Sequence, residues 1–106
     1  MTYHYYHTLI SEYLKVRDKE QFLGEIGYPA DLDLEPDQLV KAIDIIAAVA
    51  DKDISQLVKI SAMSMMSFSK AYNIPYRSLQ NWVSGERTAP DYVTQMLGYA
   101  LIGDMS

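Results

Sequence analysis

A chain of 106 residues with 49% hydrophobic content is the size of one domain and is long enough to bury a core. It contains no cysteine, which excludes a disulfide framework and a thiolate metal site and fits a reducing cytoplasm. No apolar run approaches the roughly eighteen residues of a membrane span, and the first residues lack the basic-then-apolar pattern of a secretion signal, so a soluble cytoplasmic protein is expected.

The net charge of −5 is unevenly spread. Residues 1–53 hold five basic and eleven acidic side chains, a balance of −6. Residues 54–106 hold Lys59, Lys70, Arg77 and Arg87 against Glu86, Asp91 and Asp104, a balance of +1. Acidity works against attraction to phosphate backbones, but here it belongs to the first half and leaves the second locally neutral to positive.

In chain order, Leu9, Ile10, Tyr13, Leu14, Phe22, Leu23 and Ile26 recur at helical spacing over residues 6–26, interrupted by the charged stretch 17–20, which predicts one or two helices. Residues 27–37, GYPADLDLEPD, read as a connecting loop. Pro36 opens the next helix, with Glu35 and Asp37 beside its positive end. Over 37–50, Leu39, Val40, Ile43, Ile45, Ile46, Ala47, Val49 and Ala50 cover most of the helix circumference, the pattern of a central helix or one at an interface.

Asp53, with Gln56 three residues on, caps a helix from 54 to about 62. Ser64 caps another that runs to Tyr72. Asn73 is placed to supply the positive φ of a tight turn, Pro75 stands as first residue of a helix over 75–84, and Gly85 ends it in the left-handed conformation. A last helix, from about 90 to 102, sets Val93, Leu97, Ala100 and Leu101 on one face and Tyr92, Met96 and Tyr99 on another. With no strand alternation and no internal repeat, the predicted fold class is all-α. Residues 1–53 form its acidic helical N-terminal part and 54–106 a helix-turn-helix domain.

Phe68, Ser69, Tyr72, Asn73, Ile74, Pro75, Tyr76, Arg77, Ser78, Leu79, Gln80, Trp82, Gly85, Arg87 and Pro90 follow the pattern FS…(F/Y)(G/N)IPYR(S/T)LQxWxxGxRxxP. Over about residues 54–102 the chain therefore resembles the helix-turn-helix of small Cro-like phage repressors, while the first fifty residues have no counterpart. The resemblance implies a duplex DNA-binding transcriptional regulator of bacterial or phage type, a homodimer reading two half-sites about one helical turn apart.

With Leu79 and Trp82 inward, the 75–84 helix turns Tyr76, Arg77, Gln80 and Asn81 outward. Arginine matches guanine O6 and N7, glutamine and asparagine match adenine N6 and N7, and tyrosine can touch a thymine methyl or a phosphate. Ser67, Lys70, Ser84, Arg87 and Thr88 lie at the rims, where the resemblance implies contacts to the sugar-phosphate backbone. Candidate dimer surfaces are the Tyr92, Met96, Tyr99 face and the acidic half.

The chain departs from the family pattern at three places. Met65 and Met66 stand where a phosphate-anchoring glutamine is usual, Ser69 where alanine is usual, and Val83 where an acid is usual. Two exposed methionines and a valine beside that surface are expected features of a protein-binding face. Together with the acidic half they support an alternative, an acidic inhibitor or antitoxin-like factor that blocks a nucleic-acid-binding partner such as a host nuclease.

Other signals are weaker. His4 and His7 lack a third metal ligand nearby and read as surface residues. Asp31, Asp33, Glu35 and Asp37 mimic the opening of a calcium loop, but Pro36 and Ala42 stand where that loop needs glycine and glutamate. No nucleophile with its base, Gly-rich phosphate loop or zinc-protease signature occurs, so neither an enzyme nor a cofactor is expected. Nine tyrosines, four of them at positions 3, 5, 6 and 13, fit either an interface or a tyrosine-rich edge of the core.

Overall fold

The computed structural model describes residues 1–26 and 34–105 and is all-helical, with no strand among the described residues. The helices are α1 (Tyr3–Val16), α2 (Lys19–Ile26), α3 (Pro36–Ala50), α4 (Ile54–Ser61), α5 (Met65–Ala71), α6 (Tyr76–Ser84) and α7 (Asp91–Met105). The expected loop over 27–37, with Asp31 and Asp33, falls outside the described residues as far as residue 33.

Local chemistry sets most boundaries. The Thr2 hydroxyl accepts the Tyr5 N–H at 3.1 Å and starts α1. α1 ends at Arg17, whose φ of 53° closes it with an N–H bond to the Tyr13 carbonyl, and Asp18 accepts the Gln21 N–H at 3.0 Å to start α2. The charged stretch after Val16 is thus a true break between two helices. Glu35 precedes Pro36 at the start of α3, and its N–H donates to Gln38 Oε1 at 3.0 Å, one arm of a capping box. Asp53 caps α4 through the Gln56 N–H at 3.1 Å.

α3 is the central element. It packs against α1, α2, α4 and α7, and buries Leu39, Ala42, Ile43, Ile45, Ile46, Ala47, Ala48 and Val49. Val40, on its remaining side, is 55% exposed. On α7 the buried face is Thr94, Leu97, Gly98, Leu101 and Ile102, so the expected face is rotated: Val93 and Ala100 flank it, half-buried. Gly98 explains the rotation. A Cβ built there would meet Val49 Cγ2, Tyr6 Oη at 2.5 Å and Ile45 Cγ2 at 3.3 Å. Only hydrogen fits where α7 crosses α3 and α1.

The amino-terminal tyrosines prove to be the edge of this core. Tyr6 is fully buried and donates its hydroxyl to the Gln95 carbonyl at 2.7 Å. Its ring lies 5.4 Å from Tyr99 and 5.7 Å from Tyr3, and the Tyr99 hydroxyl donates to the Met1 carbonyl at 2.7 Å. Tyr99 therefore does not share an open face with Tyr92 and Met96, which are 64% and 57% exposed. The expected three-residue surface loses one member because the N-terminal end of α1 covers it.

Burial, with the neighbouring Tyr3, pushes the Tyr6 hydroxyl well above its ordinary pKa of 10.0, and burial with the Asp104 carboxylate pushes Tyr72 up to about 12. A raised folded-state value means that the unfolded chain binds fewer protons above pH 10, so the stability these groups contribute is whole below that pH and is lost as pH rises through the folded values. Urea unfolding midpoints should fall from about pH 10 to 12, and the fall should be shallower in Tyr6→Phe. Gly98→Ala should lower stability by about 1–3 kcal/mol through overpacking. Gly24→Ala in α2, where a Cβ meets nothing within 4 Å, should instead raise it by about 0.5–1 kcal/mol in the same denaturation series.

Candidate nucleic-acid interface

α5 and α6 pack on each other, and both rest on α4. The Ser64 hydroxyl caps α5 by accepting the Ser67 N–H at 3.1 Å, and the two hydroxyls are bonded at 3.0 Å. Phe68 and Ser69 are the buried side of α5, with Ser69 Oγ donating to the Met66 carbonyl at 2.8 Å. A small residue at that point lets the following turn come close, and the Ile74 N–H reaches the Ser69 carbonyl at 2.8 Å. Tyr72, the C-cap of α5, sets its ring 4.8 Å from that of Phe68, tilted by 55°, and donates its hydroxyl to Asp104 Oδ2 at 2.8 Å.

Asn73 takes φ of 55°, the left-handed conformation expected of it. Pro75 departs from expectation by one position. With φ −55° and ψ 128° it is the N-cap, and Tyr76 is the first helical residue. The ring fixes φ but leaves ψ free, and here ψ stays extended while the Pro75 carbonyl already accepts the Leu79 N–H at 3.1 Å. Gly85, at φ 85°, ends α6 as expected. The Arg87 N–H then donates to the Asn81 carbonyl at 3.1 Å, folding the segment after Gly85 back onto the end of α6.

α6 is held from behind by Leu79, which is fully buried, and by half-buried Trp82 and Val83. Tyr76, Arg77 and Gln80 are exposed, whereas Asn81 is half-buried on the flank. Three of the four expected base-reading side chains thus share the open face. Ser67, Lys70, Ser84, Arg87 and Thr88 are all exposed, although the Ser84 hydroxyl donates to the Asn81 carbonyl at 3.2 Å and accepts the Glu86 N–H at 3.4 Å. The expected methionine and valine patch is reduced to Met66, 47% exposed. Met65 and Val83 pack against the core, because they fall on the sides of α5 and α6 that face their neighbours.

Charge is arranged around these helices in a way the residue count did not reveal. Among the described residues, Lys15 pairs with Glu12, Arg17 with Asp51, Lys19 with Asp44 and Lys52 with Asp91, at 2.9–3.5 Å. Lys59, Lys70, Arg77 and Arg87 make no ion pair among the described residues, and Asp91 and Asp104 are already engaged by Lys52 and the Tyr72 hydroxyl. Lys59, exposed on α4, escaped sequence reasoning, since only the packing of α4 against α5 and α6 associates it with the motif.

His4 is exposed and the His7 ring lies 4.6 Å from that of Tyr3. Among the described residues no three metal-ligating side chains converge, and no helix is long and apolar enough to cross a membrane. Comparison with protein-family models, with curated proteins and with solved structures returned no match.

The turn and the outer face can be tested separately. Asn73→Gly should leave stability within about 0.5 kcal/mol of the parent, whereas Asn73→Val, with a branched side chain forced left-handed, should lower it by about 1–2 kcal/mol in urea unfolding. Arg77→Ala and Gln80→Ala, on an exposed face, should each change it by less than about 0.5 kcal/mol.

Proposed function

We propose that the protein is a sequence-specific duplex DNA-binding transcriptional regulator that reads the major groove with α6. The observation that supports this reading is a helix fixed from behind by buried Leu79, open in front at Tyr76, Arg77 and Gln80, and accompanied by cations that no carboxylate neutralises among the described residues. A rigid helix with free guanidinium and amide groups meets the geometric demand of bidentate base contacts. Lys59, Lys70 and Arg87 supply the phosphate attraction, and Thr88 and Ser67 the short hydrogen bonds to the backbone.

Four cations per protomer give modest affinity, so two copies on a two-fold symmetric site are part of the proposal. Tyr92 and Met96 on α7, the two most exposed of the large apolar side chains among the described residues, are open to a second copy.

Selection from a random duplex library at about 100 mM salt, with the Arg77→Ala, Gln80→Ala double variant as control, tests this reading. The expected result is enrichment of a two-fold symmetric sequence that the variant, folded as stably as the parent, fails to enrich. The logarithm of affinity should fall with the logarithm of salt concentration with a slope no steeper than about −4 per protomer, the limit set by four phosphate neutralisations. Absence of enrichment, or equal enrichment by the variant, overturns the assignment of α6 as the reading element.

A further inference from the structure

Away from the outer face of α6, a cavity of about 180 Å³ lies where α3, the end of α4, the Tyr72 cap of α5 and the last turns of α7 meet. Ile45 and Leu101, both buried, form apolar lining, together with half-buried Ile60, Met63 and Met105. Two exposed charged residues of opposite sign also line it, Lys41 of α3 and Asp104 of α7. Among the described residues Lys41 makes no ion pair, with Asp104 or with any other carboxylate. Asp104 accepts the Tyr72 hydroxyl through Oδ2, and no described cation pairs with it.

The placement of Asp104 is electrostatically uncomfortable. It stands in the last turn of α7, where the helix dipole is negative and a cation is favoured, and that turn holds no basic residue. A positive group arriving there would meet the carboxylate and the end of the dipole together. Lys41, in the same lining and without an ion pair among the described residues, is the matching partner for a carboxylate. A cavity of about 150 Å³ accommodates a molecule of benzene size, so this one suits an apolar group of four or five carbons with its charges at the mouth.

We propose that this cavity binds a small apolar zwitterion, an α-amino acid with a branched aliphatic or thioether side chain, whose carboxylate meets Lys41 and whose ammonium meets Asp104. The side chain enters among Ile45, Ile60, Met63, Leu101 and Met105. Both charges contribute, because each meets at the mouth an opposite charge that has no ion-pair partner among the described residues. Occupancy is also felt at the end of α5. An ammonium on Asp104 shares the carboxylate with the Tyr72 hydroxyl bound at Oδ2 and weakens that acceptor, and Tyr72 leads directly into the Asn73 turn. A resulting effect on duplex affinity rests on the DNA-binding reading; binding itself does not, and is measured without DNA.

The experiment is a titration of the full chain, with methyl groups of isoleucine, leucine and methionine carbon-13 labelled, using L-leucine, isovalerate and 3-methylbutylamine in turn. L-Leucine is expected to shift the methyls of Ile60, Met63 and Met105 saturably below about 10 mM, while the two single-charge probes bind at least about tenfold more weakly. Lys41→Gln and Asp104→Asn, both at exposed positions, should each weaken L-leucine about tenfold with the parent's circular dichroism retained. No saturable shift with L-leucine up to about 10 mM overturns the proposal, as does equal binding of either single-charge probe or unchanged binding by both variants.

Discussion

The close crossing of α7 over α3 and α1 is possible because position 98 carries no side chain, and much of the molecule is arranged around that contact. Tyr6 needs the space to bring its hydroxyl to the Gln95 carbonyl, and Val49 and Ile45 fill the remainder. Once α7 is seated there, its far end lies over the C-terminal end of α5, where Asp104 receives the Tyr72 hydroxyl. Gln38 Nε2 donates to the Met105 carbonyl at 2.9 Å and ties the same end of α7 to the first turn of α3. A contact between helices far from α6 in space thus helps to fix the cap from which the turn into α6 begins. Interiors packed at crystal-like density transmit such constraints because they have no slack in which to lose them.

α3 can serve four neighbours because its buried surface mixes large and small groups. Leu39, Ile43, Ile45, Ile46 and Val49 supply apolar area, while Ala42, Ala47 and Ala48 let adjacent helices approach. α6 sits at the other extreme. Leu79 is its one fully buried side chain, so most of its surface is open and its position depends on α4 and α5 rather than on the central helix. An element with one deep anchor and a preformed turn at each end can change its exposed side chains at small cost to stability, which is the property a recognition surface requires.

What could be read from the sequence was whatever chemistry is local. Asn73, Gly85, Ser64 and Asp53 have side chains, or lack them, in ways that favour a turn or a cap where the apolar pattern breaks, and each takes that role. Arg17 and Ala62 also adopt left-handed conformations, with φ of 53° and 61°, and nothing in their side chains announces it; the helices end there because the next element is held elsewhere. The same holds for side-chain exposure. The α7 spacing grouped Tyr92, Met96 and Tyr99 correctly as one stripe of a cylinder, but spacing cannot say that the first turn of α1 lies across one end of it. Met65 and Val83 were misplaced for the same reason, since a short helix that touches two others has little truly outer surface. Around α6, residue types suggested Arg77 and Gln80, whereas the absence of ion pairs on the surrounding cations became visible only with tertiary structure.

The distribution of ion pairs bears on how an acidic chain can meet an acidic polymer. Of the four pairs among the described residues, three draw their cation from α1, the residue just after it, or α2, and the fourth holds Lys52 on Asp91. All are well exposed, so their worth in stability is small. Their effect on the field is larger: each turns a separate positive and negative charge into a short dipole that fades quickly with distance. Unpaired cations on α4, α5, α6 and the segment after α6 keep their full reach. At physiological ionic strength that reach is about 8 Å, short against a molecule whose smallest dimension is 21 Å. α1 carries no net charge and α2 a single net negative one, and both pack on α3, while α6 packs on α4 and α5. A surface in contact with α6 would feel the unpaired cations on and around it, tempered by Asp53, which lines the same hollow as Trp82 and Arg87. The net charge of −5 therefore limits non-specific affinity without forbidding a local contact, and makes a reader of this kind depend more on base contacts than on phosphate attraction.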